Sequence, residues 1–107
     1  MLLQINTDNR VDGNAAVIDD LEAGLRAQLS RFESRLTRIE VHVSDLNADK
    51  SGAEDKRCML EARPNGLGPV CVTNDAATVE QAVEGAADKL LVVLERTFGK
   101  LTNRKGH

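Results

Sequence analysis

The chain has 107 residues, enough for one domain, of which 41% are hydrophobic and 29% charged. That is the balance of an ordinary globular protein with material for a single core. A net charge of −3 and a pI near 5.3 argue against a protein that coats nucleic acid by bulk positive charge. The only aromatics, Phe32 and Phe98, are too few for a base-stacking platform.

Leu2 to Thr7 (LLQINT) is short and apolar, with Leu3 and Ile5 on one face, and reads as a strand. Asp8 to Gly13 is dense in turn formers, and Asn14 is placed to cap a following helix. From Ala15 to about Leu36 the period becomes helical. Leu21, Leu25, Leu29, Phe32 and Leu36 form one apolar stripe. Ile39 to Ser44 alternates strictly, which predicts a half-buried strand with Glu40, His42 and Ser44 outward. Asp45 to Asp55 is a polar loop. Arg57 to Arg63 alternates again with Cys58, Leu60 and Ala62 inward. Pro64-Asn65-Gly66 turns the chain, and Pro69 to Thr73 returns as a short strand with Val70 and Val72 inward. Thr78 to Gln81 fits a capping box, and a long helix follows to about Asn103. Its stripe is Val79, Val83, Ala86, Leu90, Leu94 and Leu101. The order is β-α-β-β-β-α, an α+β fold with two helices packed on one face of a four-stranded sheet. Residues 1–103 are expected to form one domain, with 104–107 a frayed tail.

No constellation for catalysis or metal binding stands out. Asp45, Asn47, Asp49 and Ser51 have the spacing that opens a calcium loop, but Lys50 stands where a Gly is needed and Lys56 where a bidentate Glu is needed. Strand alternation puts Cys58 inward and His42 outward, so they do not pair as nucleophile and base. Cys71 is expected on the open sheet face, with no basic neighbour evident to activate it. Two Cys and two His do not match zinc spacing. A non-enzymatic protein without cofactors is expected. No apolar run approaches a membrane span, nothing at the N-terminus looks like a signal peptide, and two cysteines without one read as reduced thiols. A cytoplasmic protein with no membrane partner follows.

The charges sort by side. At roughly 100° per residue, Lys89, Arg96 and Lys100 fall on one flank of the last helix. Glu80, Glu84, Asp88 and Glu95 fall on the opposite flank or the back. Arg31, Arg35 and Arg38 are expected to share one side near the end of the first helix, with Glu33 on the other. Two basic ridges in an acidic chain suit contact with a phosphate backbone, although charge near helix C-termini also compensates the helix dipole. Leu91 and Val92 point off the main stripe and are candidates for a protein contact.

Several strings carry a resemblance. They are Leu29-Ser30-Arg31-Phe32-Glu33 with Arg38-Ile39, then Val41-His42-Val43, then Asp88-Lys89-Leu90 with Leu94, Lys100 and Leu101. With the order of elements, they resemble the ribosome hibernation-promoting factor and ribosome-associated inhibitor family (sigma modulation protein-like), in a divergent proteobacterial branch. The resemblance implies binding to the small ribosomal subunit, in the channel where tRNA and mRNA otherwise sit. The partner would be the rRNA phosphate backbone, and translation would be blocked by occupation rather than chemistry. It places rRNA-binding roles on Arg31, Arg38, Lys89, Arg96 and Lys100, with Arg35 added on charge. The sequence departs from the family where Val92, Glu95 and Phe98 stand at positions often basic or polar. The alternative is a small interaction module on the same fold, a weak homodimer for instance, using the open sheet face or Leu91 and Val92.

Overall fold

The structure, a computed structural model, describes residues 1–7, 15–45 and 56–105, with side chains for 1–7, 16–45 and 56–99. The turn at 8–14 with its Asn14 cap, the calcium-like spacing in 46–55 and the side chains of Lys100 and Leu101 lie outside the described residues. The elements are β1 (Leu2–Thr7), α1 (Ala15–Gln28), a 3-10 segment η1 (Ser30–Arg35), β2 (Leu36–Asp45), β3 (Lys56–Pro64), β4 (Val70–Ala76) and α2 (Val79–Lys105). The α+β fold expected from the sequence is the one observed, with a four-stranded mixed sheet and two main helices.

The sheet order is β1-β2-β3-β4, with β1 parallel to β2 and the other pairs antiparallel. A parallel pair cannot be joined by a tight turn, so α1 serves as the crossover. It runs opposite to β1 and β2. Helix α2 follows β4 and runs back the same way. Both helices therefore point their C-terminal ends toward the place where β2 begins at Leu36 and β3 ends at Pro64. The sheet contributes Leu3, Ile39, Val41, Val43, Cys58, Leu60 and Ala62 to the core. The helical layer answers with Leu21, Leu25, Leu29, Phe32, Val83, Leu90, Leu94 and Phe98. Val70 and Val72 pack inward from β4 but stay half-buried.

The first helix is shorter than its stripe predicts. It ends at Gln28, and Leu29 leads into η1, where the Phe32 N–H donates to the Leu29 carbonyl at 2.9 Å. In a 3-10 turn, side chains three apart stand above one another. That is why Leu29 and Phe32 are both buried at a spacing of three. Leu36 is the first residue of β2 rather than the last of a helix. The register slips between Leu36 and Arg38, and the extra residue, Thr37, lets Leu36 and Ile39 both face the core.

Two local devices fix the rest. Leu67 N–H donates to the Pro64 carbonyl at 3.2 Å, and Gly66 has φ +75, the left-handed position that a type II turn requires. At the start of α2 the Thr78 hydroxyl accepts from the Gln81 N–H at 3.1 Å, the threonine half of the capping box read from the sequence. The fully buried Ala82, Ala86 and Ala87 let α2 lie low on the sheet. Gly85 marks the close approach, because a Cβ there would overlap the Asn74 side-chain amide. That amide donates to the Ala82 carbonyl at 3.2 Å and ties β4 to α2.

Candidate nucleic-acid interface

Phe32 and Phe98 organise the Leu36–Pro64 end of the molecule. Their rings stack with centroids 5.5 Å apart and planes 22° apart, and both are buried. Stacked rings present their faces outward, where the electron-rich surface attracts a cation. The Arg31 guanidinium lies 4.9 Å from the Phe32 centroid, and that of Arg35 lies 3.7 Å from the Phe98 centroid. Phe98 thus seats an arginine.

Asn65 holds the segment that carries these arginines. Its N–H donates to the Arg35 carbonyl at 2.9 Å and its side-chain amide donates to the Ser34 carbonyl at 3.1 Å. The Thr37 hydroxyl donates to Asn65 Oδ1 at 2.6 Å. One turn residue therefore fastens the end of η1 to the β3–β4 hairpin. The Pro-Asn-Gly string announces the turn but not this second use of the Asn.

Arg31, Arg35 and Arg38 do not share one side of a helix, and that expectation is corrected. Arg31 and Arg35 sit on η1, while Arg38 lies in β2 on the sheet face away from the helices. The reason is the early helix end and the slip at Thr37. They still gather at the same end of the fold. Register places Arg38 opposite Arg63 of β3, so Arg63 joins the group. Arg63 was legible as an outward residue of its strand, but its neighbour needed the register.

The flank of α2 divides. Lys89 donates from Nζ to the Thr73 carbonyl at 2.9 Å and is tethered to the edge strand β4. Arg96 lies two turns further along the same side, roughly 10 Å by helix rise. It is exposed and has no hydrogen-bond or ion-pair partner among the described residues. The side chain of Lys100 lies outside them. Of the two apolar candidates, only Val92 is exposed, at 47%. Leu91 is half-buried and packs against the core, so the expectation that both point outward is corrected.

Carboxylates surround these arginines. Arg31 meets Glu95 at 2.7 Å, Arg38 meets Glu40 at 2.8 Å and Gln4 at 2.6 Å, and Arg63 meets Glu61 at 3.5 Å. The exposed Arg31–Glu95 pair is worth about 0–1 kcal/mol, little enough for a phosphate to take the carboxylate's place, whereas Arg38 and Glu40 are half-buried. Arg35 and Arg96 have no carboxylate partner among the described residues. Both helix C-termini point here as well, so part of the positive charge answers their dipoles.

The open sheet face beyond this end carries Glu40, His42, Glu61, Arg63 and Thr73, as alternation requires. At its far corner Arg57 donates to both Asp75 carboxylate oxygens at 2.8 and 3.1 Å, which holds the Asp75 carboxyl below its ordinary range. Cys71 is exposed on the same face, opposite Glu61. Cys58 is fully buried, and burial pushes its thiol up to about 12. No group of three or more His, Cys, Asp or Glu able to hold a metal occurs among the described residues. No described helix is long and apolar enough to cross a membrane.

The fold has counterparts. The N-terminal domain of Thermus thermophilus Protein Y superposes with a TM-score of 0.69 at 22% identity, covering 91% of this chain and 99% of that one. A ribosomal subunit interface protein from Coxiella burnetii gives 0.70 at 15% identity, covering 92% and 99%. At these identities the likeness is one of fold. Among curated proteins, none matches the sequence. Residues 5–102 match the family described as Sigma 54 modulation protein / S30EA ribosomal protein. That span takes in every described element from mid-β1 into the last turns of α2, and the chain belongs to this family, the one its local strings resemble.

Proposed function

We propose that this protein associates with the ribosome, binding rRNA of the small subunit through its Leu36–Pro64 end, and that it acts by occupying space rather than by catalysis. The observation that carries the reading is the convergence of Arg31, Arg35, Arg38, Arg63 and Arg96 from four separate elements in a chain of net charge −3. An acidic protein that concentrates arginine at one end binds phosphate there and repels it elsewhere, which orients the complex. Family membership and the two structural neighbours, one of them a ribosomal subunit interface protein, support a ribosomal partner. Occupation of the tRNA and mRNA channel, with translation halted, is the form of the reading that follows from the family.

A homodimer through the open sheet face is the weaker reading. That face is already laced with Arg38–Glu40, Arg63–Glu61 and Arg57–Asp75 pairs, and burying them would desolvate every one. Sedimentation of the pure protein with isolated small and large ribosomal subunits tests the proposal. The protein is expected in the small-subunit fraction at low salt and increasingly in the supernatant as salt rises. Its absence from the small subunit at low salt would refute the reading.

A further inference from the structure

The opposite end of the helix layer holds a cleft that the rRNA-binding end does not use. Helices α1 and α2 part there around a space of about 320 Å³, lined on its apolar side by Val17, Leu21, Leu25 and Val83. Gly24 also lines it. A Cβ at Gly24 would meet nothing within 4 Å, so the fold does not need a glycine at this point. Glycine weakens a helix, and at Gly85 the structure shows what such a residue achieves by admitting Asn74. At Gly24 the space it leaves open is the cleft itself.

The rim is acidic. Asp20, Glu80 and Glu84 stand around the opening, all exposed, and none has an ion-pair or hydrogen-bond partner among the described residues. Glu80 lies in the first turn of α2, where the helix dipole accounts for it. Asp20 and Glu84 have no such account. Further along the same seam, Asp88 meets Gln28 and Glu95 meets Arg31. Among the described residues, the carboxylates along this seam are satisfied where the helices close and unsatisfied where they part.

We propose that this cleft takes a basic amphipathic segment of a partner protein, its aliphatic side chains seated over Gly24 between Leu21 and Val83 and its lysines or arginines meeting Asp20, Glu80 and Glu84. An apolar floor with a uniformly negative rim selects that chemistry by complementarity and rejects nucleic acid. The site is separate from the rRNA-binding end and stands or falls independently of it.

The test uses the full chain and a blocked twelve-residue peptide of leucine and lysine, with leucines at helical i, i+3, i+4 and i+7 spacing. A scrambled peptide of the same composition is the control. Amide chemical shifts are followed on titration. Shifts are expected at Val17, Leu21, Gly24 and Val83, with the scrambled peptide at least tenfold weaker. Gly24→Leu fills the floor and is expected to weaken binding at least tenfold. Should that variant fail to fold, Asp20→Lys with Glu84→Lys, both on exposed positions, is expected to do the same. Equal binding of the scrambled peptide would reduce the site to bulk charge and overturn the proposal. Shifts confined to other surfaces would overturn it too. So would cleft shifts that grow with concentration of the protein alone, which would make a second copy the occupant.

Discussion

At the Leu36–Pro64 end the helix layer is closed. Phe32 and Phe98 stack across it, Arg31 reaches Glu95, and Asn65 fastens η1 to the hairpin. At the other end the same two helices part over Gly24, and their carboxylates stand without partners among the described residues. The contrast arises from side-chain size along one seam. Large rings occupy its C-terminal half, whereas Val17, Gly24 and Val83 line the N-terminal half. A fold of this size thus keeps one closed, arginine-bearing end and one open, acidic end without changing its backbone plan.

The sharpest way to break the comparison is to remove the plug. Phe98→Ala is expected to lower stability by about 3–5 kcal/mol, as truncations of buried aromatics do. Val17→Ala in the half-buried wall of the cleft is expected to cost roughly 1 kcal/mol, since less area returns to water. Chemical denaturation of both variants checks this, and equal losses would mean that the two ends are packed alike.

Cys58 reports on the core beneath the open end, where it pairs with Val43 and Asn74 across the sheet. Its thiol is pushed up to about 12 by burial. The folded state therefore holds a proton that the unfolded chain releases near pH 8.5. This stabilisation is complete below that pH and is lost as pH rises toward 12, at about 1.4 kcal/mol per unit. Thermal melts between pH 8 and 11 should fall steeply, and the Cys58→Ala variant should lose this slope. A flat alkaline profile for the parent would mean that water from the cleft reaches the thiol.

The next effect is smaller and belongs to the closed end. Asn65→Ala removes the side-chain bonds to Ser34 and Thr37, at an expected cost of about 1 kcal/mol. It should also raise the hydrogen-exchange rates of η1 amides while leaving those of β2 and β3 in place. Smallest of all, a double-mutant cycle on Arg31 and Glu95 is expected to give a coupling below about 1 kcal/mol that shrinks further with salt. A larger value would mean that Arg31 is committed to the fold and is not available to a phosphate.

Much of the fold was legible because its signals are periodic. The alternation of Ile39, Val41 and Val43, and of Cys58, Leu60 and Ala62, marks two strands and their inward faces correctly. The end of α1 was not legible from the stripe alone. Leu29 to Phe32 is a step of three, which an α-helix and a 3-10 turn both accept, and only the slip at Thr37 settles that Leu36 opens a strand. The site was harder still. Basic residues can be assigned to helix flanks by angle, but their meeting depends on strand register, as with Arg38 and Arg63. In the sequence Phe98 is one of only two aromatics, and its use as a seat for Arg35 emerges only when the rings are brought together from residues far apart in the chain. The cleft leaves no periodic trace, because it is defined by what Gly24 omits.

The most direct test of the central claim compares charge reversal at the two ends in the sedimentation assay. Arg35→Glu with Arg96→Glu changes the two arginines that have no carboxylate partner among the described residues. Arg57→Glu serves as the control at the far corner of the sheet. The double variant should lose small-subunit binding at every salt concentration at which the parent binds, while the control binds as the parent does. Alanine at the same two positions should make binding less sensitive to salt, lowering the log–log slope by roughly 0.7–0.9 for each phosphate that is no longer neutralised. Undiminished small-subunit binding by the folded double-glutamate variant would contradict the account.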